Sequence, residues 1–431
     1  MIFATVLALL GASLILRVPI SVGLIAASLV LASVSGPPGM ALSLPELSTN
    51  YLLSNPLLTG LVLFLLLGEV NRSTDSAPRL HRLSRTCLAP HRSGMLLAAV
   101  LGKLLQSPLY MHSGVQIRGE TAADAALLLR HAAAARTPLH LLWAARAAGG
   151  GCALAWPIST LTFAVGMTFE VSIMRLMLGL MIPWAIQAAL LLITAWAISL
   201  GTGSRVATHH VPRPVAGPSW LWRDAEGLSL PVLSSLTTVF LLVGGISTVT
   251  EMAGLIAVVG FIAIWLQPLR PRIRDLKNAF VAAATKLAEL ALLLIGAGTL
   301  VRVVLAIIEA PAALPWFAAD GTVPLSGLVL ALVAIFLSCC FFGPLPGLLV
   351  AWLPAGAVLN VIANPIHAAA ILIYIALLGG VTGLVLRPPA VSEGRRITGS
   401  SVAFCLPIGL TLCLVLAFPE LTTAIDTMLF G

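Results

Sequence analysis

Apolar runs close to the length of a bilayer crossing recur along the whole chain, divided by short polar or glycine- and proline-rich breaks. "MIFATVLALLGASLILRVPISVGLIAASLVLASVSG", "PLLTGLVLFLLLGEV" and "IPWAIQAALLLITAWAISLG" are examples. Runs of this kind predict membrane-crossing helices of roughly twenty residues. A transmembrane β-barrel would show short alternating segments instead. The first run has no basic segment ahead of it and meets its first charge at Arg17, so it reads as a retained helix rather than a cleaved leader.

Composition agrees with the pattern. The 431 residues are 59% hydrophobic and 9% charged, with a mean hydropathy of +1.04. A soluble surface needs roughly a quarter of its residues charged. The net charge of +8 is concentrated in short connections, which follows the positive-inside rule and argues against a nucleic-acid partner. The six cysteines form no CxxC pair, and Cys152, Cys339, Cys340, Cys405 and Cys413 lie in apolar runs. They read as small buried hydrophobes rather than a metal or disulfide framework.

Loop charge orients the chain. Arg72 to Arg92, Arg205 to Arg223, Arg270 to Lys277 and Arg387 to Arg396 mark four basic, cytoplasmic connections. Gly36 to Asn50, Glu309 to Asp320 and the C-terminus are acidic or nearly uncharged and read as outer. The N-terminus is then cytoplasmic and the C-terminus periplasmic. Within one membrane domain, 1–431, this divides the chain into scaffold helices 1–92, a first repeat 93–200, a cytoplasmic loop 201–227, central helices 228–322, a second repeat 323–398 and a C-terminal helix 399–431.

Each repeat combines a hairpin with an interrupted span. Segments 95–115 and 122–135 form a hairpin that enters from the cytoplasm and turns near Arg118 to Thr121. The next span is interrupted by "AAGGGCALAWP", where three glycines and Pro157 disfavour a continuous helix. From the other face, an apolar segment runs to "FFGPLPG" and returns to Ile362, and the span after it is interrupted by "LLGGVTG". Inverted repeats of this form place substrate and ion sites near the midplane of secondary transporters. The alternative is that two glycine–proline breaks coincide.

Unwound backbone survives in a membrane only inside protein or along a wet cavity. Its carbonyls can ligate sodium, and its N–H groups attract anions. In the first tip, Arg118 can pair with a substrate carboxylate while Glu120 balances it or holds a cation. The alternatives are that the two satisfy each other, or that the segment is a cytoplasmic loop. Asp124 is equally suited to a purely structural role at a helix start. Glu251 beside Thr248 and Thr250 is the favoured carboxylate in apolar context, whereas Lys286 and Glu289, three apart, can neutralise each other. His112 and His131 read as interfacial or satisfied, and Trp143, Trp220, Trp222, Trp316 and Trp352 as interface anchors. GxxxxGK[ST], HExxH, a nucleophile elbow and paired intramembrane aspartates are all absent, so neither an ATPase nor an embedded enzyme is indicated.

With these residues in place the chain resembles the large, DctM-like membrane subunit of the TRAP (tripartite ATP-independent periplasmic) transporters over nearly its whole length. "NPLLTGLVLFLLLGEVNRS", "GETAADAALL", "AARAAGGGCALAWPIST", "GGISTVTEMAGLIAVV" and "NPIHAAAILIYIALLGGVTG" carry the resemblance. It implies an all-α polytopic membrane protein of about eleven crossing helices plus two re-entrant hairpins. It implies an elevator-type fold, like that of the ion-transporter superfamily. It further implies sodium-driven uptake of an organic acid such as a C4-dicarboxylate across a bacterial inner membrane. The implied partners are a small four-helix membrane subunit and a periplasmic substrate-binding protein. No cofactor is implied beyond coupling sodium.

Carried over by position, sodium and substrate lie between Arg118, Gly119, Glu120, Thr121 and Ala148, Gly149, Gly150 in the first repeat. In the second they lie between Gly343, Pro344, Gly347 and Gly379, Gly380, Thr382. Thr248, Thr250 and Glu251 match a further ion-associated motif. The sequence also departs from the family. Arg118 and Glu120 replace tip serines, Ala148 replaces a serine, and the double prolines become Trp156–Pro157 and Gly383–Leu384. Arg118 then serves as a fixed surrogate cation, or the chain is a degenerate relative that transports poorly. A stand-alone sodium/dicarboxylate symporter and a non-transporting membrane scaffold are the competing readings.

Overall fold

A chain surrounded by lipid must satisfy each backbone N–H and C=O internally, and a helix does so within one segment. In the computed structural model, regular structure among the described residues is helical throughout. Those residues are 2–16, 18–37, 39–72, 94–107, 138–201, 244–265, 273–307, 322–387 and 398–430, with a few isolated positions between them. In chain order the helices are α1 (Ile2–Ile15), α2 (Ile20–Ser35), α3 (Met40–Leu53), α4 (Leu57–Arg72), α5 (Gly94–Gln106), α6 (Leu139–Leu154) and α7 (Thr160–Thr168). They continue as α8 (Ile173–Gly201), α9 (Val249–Trp265), α10 (Ile273–Ile307), α11 (Leu325–Phe342), α12 (Pro344–Val350), α13 (Trp352–Val361) and α14 (Pro365–Leu386). The last are α15 (Gly399–Val402), a 3₁₀ turn (Ala403–Cys405), α16 (Leu406–Ala417) and α17 (Glu420–Phe430).

Among the described residues, five stretches are long and apolar enough to cross a membrane: α8, α10, α11, α14 and Gly399–Ala417. The number rises to seven if α3–α4, bent by 68°, and α12–α13, bent by 80°, each count as one span. The protein is an all-α polytopic membrane protein. Several shorter apolar helices, α2 among them, fall below that length, and parts of the chain that contribute to the expected eleven lie outside the described residues.

Packing sorts the helices into two groups. α2, α3 and α4 pack on the long helix α10, with α9 against α4 and α1 against α2. α14 is the centre of the other group. It touches α6, α7, α8, α11, α12, α13, α16 and α17, and 83% of its span is buried inside the protein.

The first group is tied by a buried ion pair. Lys286 Nζ on α10 stands 2.6 Å from Glu69 Oε1 on α4, and Arg72 Nε lies 3.2 Å from the same oxygen. Lys286 thus has a partner on another helix, which its three-residue spacing from Glu289 did not suggest. Removing one member of such a buried pair leaves an uncompensated charge, at a cost of about 3–5 kcal/mol.

Two glycine clusters differ from their expected role as breaks. Gly149, Gly150 and Gly151 are helical within α6, and α14 runs unbroken through Gly379, Gly380 and Gly383. The physical reason is close approach. A Cβ on Gly151 would collide with Val381, and Cβ atoms on Gly379 and Gly383 would strike the Phe336 and Cys340 carbonyls of α11. Gly379 and Gly383 are spaced as small-xxx-small, the pattern that lets two membrane helices approach backbone to backbone. Trp143 is likewise no interface anchor. It is 5% exposed, and its indole N–H donates to the Leu384 carbonyl at 3.3 Å, joining α6 to α14.

Candidate functional site

The second hairpin is built around one residue that only glycine can supply. α11 ends at Phe342, and Gly343 adopts φ 97° and ψ 172°, a region closed to side chains with a Cβ. Pro344 then starts α12, where its missing N–H costs nothing. The arms are joined by Ser338, whose hydroxyl donates to the Gly347 carbonyl at 2.8 Å. They lie so close that a Cβ on Gly347 would meet the Cys339 backbone.

This tip rests on α14. A Cβ on Gly380 would enter the Pro344 ring, so the structure brings together Gly343, Pro344, Gly347, Gly379 and Gly380 as the sequence pairing expected. Two details differ. α14 is not unwound, so its carbonyls stay in their own ladder, and Thr382 is hydrogen-bonded with Cys405 on the 3₁₀ turn. The contact also lies nearer one end of α14 than its middle. Arg387 stands over the Phe341 ring at 4.6 Å, and it follows Gly380 by seven residues, roughly 10 Å of helix.

In the first repeat a true interruption exists, at the proline end of "AAGGGCALAWP" rather than at its glycines. α6 ends at Leu154, and α7 starts after Ser159, whose backbone is extended and whose side-chain oxygen accepts the Thr162 N–H at 3.2 Å. Pro157 lies between them and lacks a donor, so the i→i−4 ladder stops there. One carbonyl near the end of α6, that of Cys152, is met by the Trp184 indole N–H at 3.0 Å. Trp156 packs edge-on to Trp184, with centroids 4.6 Å apart.

Ala148, Gly149 and Gly150 are buried in α6 itself, and a Cβ on Gly149 would stand 3.0 Å from Lys103 Cβ of α5. Arg118, Gly119, Glu120, Thr121 and Asp124, with His112 and His131, lie outside the described residues.

Thr248, Thr250 and Glu251 sit at the start of α9, away from the second tip. The Thr248 N–H and hydroxyl donate to Glu251 Oε2 at 2.8 and 2.9 Å, and the Glu251 N–H donates back to the Thr248 hydroxyl at 3.4 Å. This is a capping box, with threonine and glutamate three apart satisfying each other's backbone donors.

Other polar residues escaped the sequence reading. Lys103 and Arg146 are 6% and 3% exposed, each engaged with a partner, and Gln187 and Tyr374 are fully buried. Neither amide atom of Gln187 nor the Tyr374 hydroxyl has a hydrogen-bond partner. All four lie on α5, α6, α8 and α14, which pack together around the first repeat. Lys103 and Arg146 were visible as lone charges in "AAVLGKLLQS" and "LLWAARAAGGG". Nothing in the sequence distinguished Gln187 or Tyr374 from other isolated polar residues.

The model of one family, described as the DctM component of the tripartite ATP-independent periplasmic transporters, matches residues 7–392. The chain belongs to that family. The match spans both repeats and closes just beyond α14. No curated protein matches the chain. As a DctM subunit the protein is a large permease component, a transporter part rather than an enzyme, and a multi-pass membrane protein. Its region beyond the match still packs on the repeats. His367 Nδ1 at the start of α14 lies 3.0 Å from the Thr422 hydroxyl of α17, and Arg175 of α8 pairs with Asp426 at 3.6 Å.

Proposed function

We propose that this DctM subunit imports a small organic anion, a C4-dicarboxylate or similar carboxylate, across a bacterial inner membrane. A periplasmic binding protein delivers the anion, and a small four-helix subunit supports the permease. Coupling is to sodium, without further cofactors. The α14-centred helices move as an elevator against the α10-centred helices, with the N-terminus cytoplasmic and the C-terminus periplasmic.

The single observation that carries this reading is the second tip seated on Gly380 of α14. A hairpin that ends against a buried helix, rather than in water, suits a site to which access alternates. The buried cations Lys103 and Arg146 favour an anionic cargo. Arg118, Gly119, Glu120 and Thr121 hold the carboxylate from the first tip. Gly149, Gly150, Gly343, Pro344 and Gly380 line the other side. Cation ligation falls to the carbonyls freed between α6 and α7 and at the end of α11, since those of α14 remain paired. Ala148, Gly347, Gly379 and Thr382 adjoin these places, while Thr248, Thr250 and Glu251 act as a structural cap.

The experiment is uptake of radiolabelled C4-dicarboxylates by proteoliposomes holding the chain, its small subunit and the binding protein. Accumulation should require all three and an inward sodium gradient. Uptake equal to that of protein-free vesicles, or undiminished without the binding protein, would sink the proposal.

A further inference from the structure

A cavity of about 320 Å³ lies far from the second tip, where α3, the end of α7, α10 and the start of α13 meet. Its end of the molecule is the one where α14 begins, because Gly179 of α8 abuts Ile366 there. Gly380 is fifteen residues further along α14, roughly 22 Å away. Arg302 in the cavity wall is twenty-five residues from Lys277 along α10, or roughly 37 Å. That exceeds a hydrocarbon core of about 30 Å, so Arg302 reaches the headgroup level opposite the basic 266–277 connection.

The charges here are arranged unusually. The Arg302 guanidinium stands 5.3 Å from the Tyr51 ring centroid, and the Tyr51 hydroxyl donates to Glu170 Oε1 at 3.0 Å. A cation and a carboxylate thus flank one tyrosine, and no ion pair joins them among the described residues. Arg302 Nη1 and Thr168 Oγ1 are buried without hydrogen-bond partners. Glu170 holds φ at 55°, the single non-glycine residue with positive φ among those described. Backbone strain of this kind gathers at ligand clamps.

Below the charges the wall is apolar, with Leu52, Met167 and Leu294 buried. At one side it continues onto Leu305, which is 56% exposed.

We propose that this cavity binds a phosphoethanolamine-type zwitterion. Its phosphate is held by the Arg302 fork, its ammonium by Glu170, and an attached apolar chain runs down the Leu52, Met167 and Leu294 wall towards the hydrocarbon. A simple anion would be opposed by Glu170 and a simple cation by Arg302, whereas a zwitterion satisfies both. The phosphate also supplies the partner that Arg302 Nη1 lacks, in the planar geometry that suits guanidinium. Tyrosine, tryptophan and arginine at headgroup depth fit an interfacial ligand. The apolar wall running inward from Arg302 to Leu294 favours an aminophospholipid over a soluble zwitterion as the source.

Native mass spectrometry of the purified full chain tests this, with phosphatidylethanolamine, phosphatidylglycerol and soluble glycerophosphoethanolamine offered separately. Phosphatidylethanolamine should be retained at least tenfold better than phosphatidylglycerol. Arg302→Ala and Glu170→Gln should each lower that retention at least tenfold. Should Arg302→Ala fail to fold, Arg302→Lys keeps the charge, removes the fork and should show the same loss. Equal retention of glycerophosphoethanolamine supports the zwitterion chemistry and moves its source to the aqueous phase. Phosphatidylglycerol held as strongly as phosphatidylethanolamine, or retention unchanged in both Arg302 and Glu170 variants, overturns the proposal.

Discussion

α6 and α14 each carry a glycine cluster, Gly149–Gly151 and Gly379–Gly383, and both stay helical through it. They part company afterwards. α6 stops at Leu154, three residues before Pro157, and Ser159 caps a new helix, while α14 meets no further proline and continues to Leu386. In water a glycine run weakens a helix because the unfolded chain gains freedom and solvent takes the backbone. Among packed membrane helices the same residues gain contact, because a neighbouring backbone can occupy the space a Cβ would fill. Glycine therefore marks where helices touch, and proline marks where one ends. Among the described residues the glycine-bearing helix of the first repeat is interrupted and that of the second is not, so these two helices are unequal in what their backbones can ligate.

This contrast can be broken most severely at Gly383. Leucine there would drive a side chain into the Cys340 carbonyl, a backbone atom that cannot rotate away. Gly383→Leu should cost more than about 3 kcal/mol, seen as loss of monodisperse protein or a large fall in the thermal midpoint in detergent. Second comes Gly343→Ala, which places a Cβ at φ 97°. It should cost about 1–3 kcal/mol and leave α14 intact by circular dichroism.

Ser159→Ala removes the cap of α7 and should destabilise by about 1 kcal/mol, whereas Ser159→Asp or Ser159→Asn should retain most of that stability. Gly356 of α13 is the smallest effect and opposite in sign. A Cβ there meets nothing within 4 Å, so Gly356→Ala should stabilise by about 0.5–1 kcal/mol. A loss comparable with that at Gly383 would show that helical glycine is under general rather than contact-specific constraint.

Much of this was legible in the sequence. The apolar runs gave the membrane class, and "FFGPLPG" contains the turn at Gly343, whose neighbour Pro344 meets Gly380 of "LLGGVTG". Pairing was readable because both motifs depend on backbone shape, which glycine and proline encode directly. The state of α14 was not readable, because a glycine that breaks a helix and a glycine that lets two helices touch are the same letter. Only the Phe336 and Cys340 carbonyls opposite decide between them.

The Glu69 partner of Lys286 was hidden for a related reason. Spacing reveals neighbours on one helix, and Glu69 lies 217 positions away in the chain. Thr248 and Glu251 were noticed, but their three-residue spacing fits a capping box as well as an ion site, and the hydrogen bonds show the cap.

The account turns on the unequal interruption of the two repeats, and hydrogen–deuterium exchange on the wild-type protein in lipid nanodiscs reads it directly. Residues 155–159 and 379–383 are similarly buried, so a difference between them reports backbone hydrogen bonding rather than access to water. Amides of Gly379 to Gly383 should exchange as slowly as those of Ile371 to Ile375. Ile158 and Ser159 should exchange far faster than Leu141 to Ala145. Rapid exchange at Gly379 to Gly383, matching that at Ser159, would mean that α14 is unwound as well, contradicting the account.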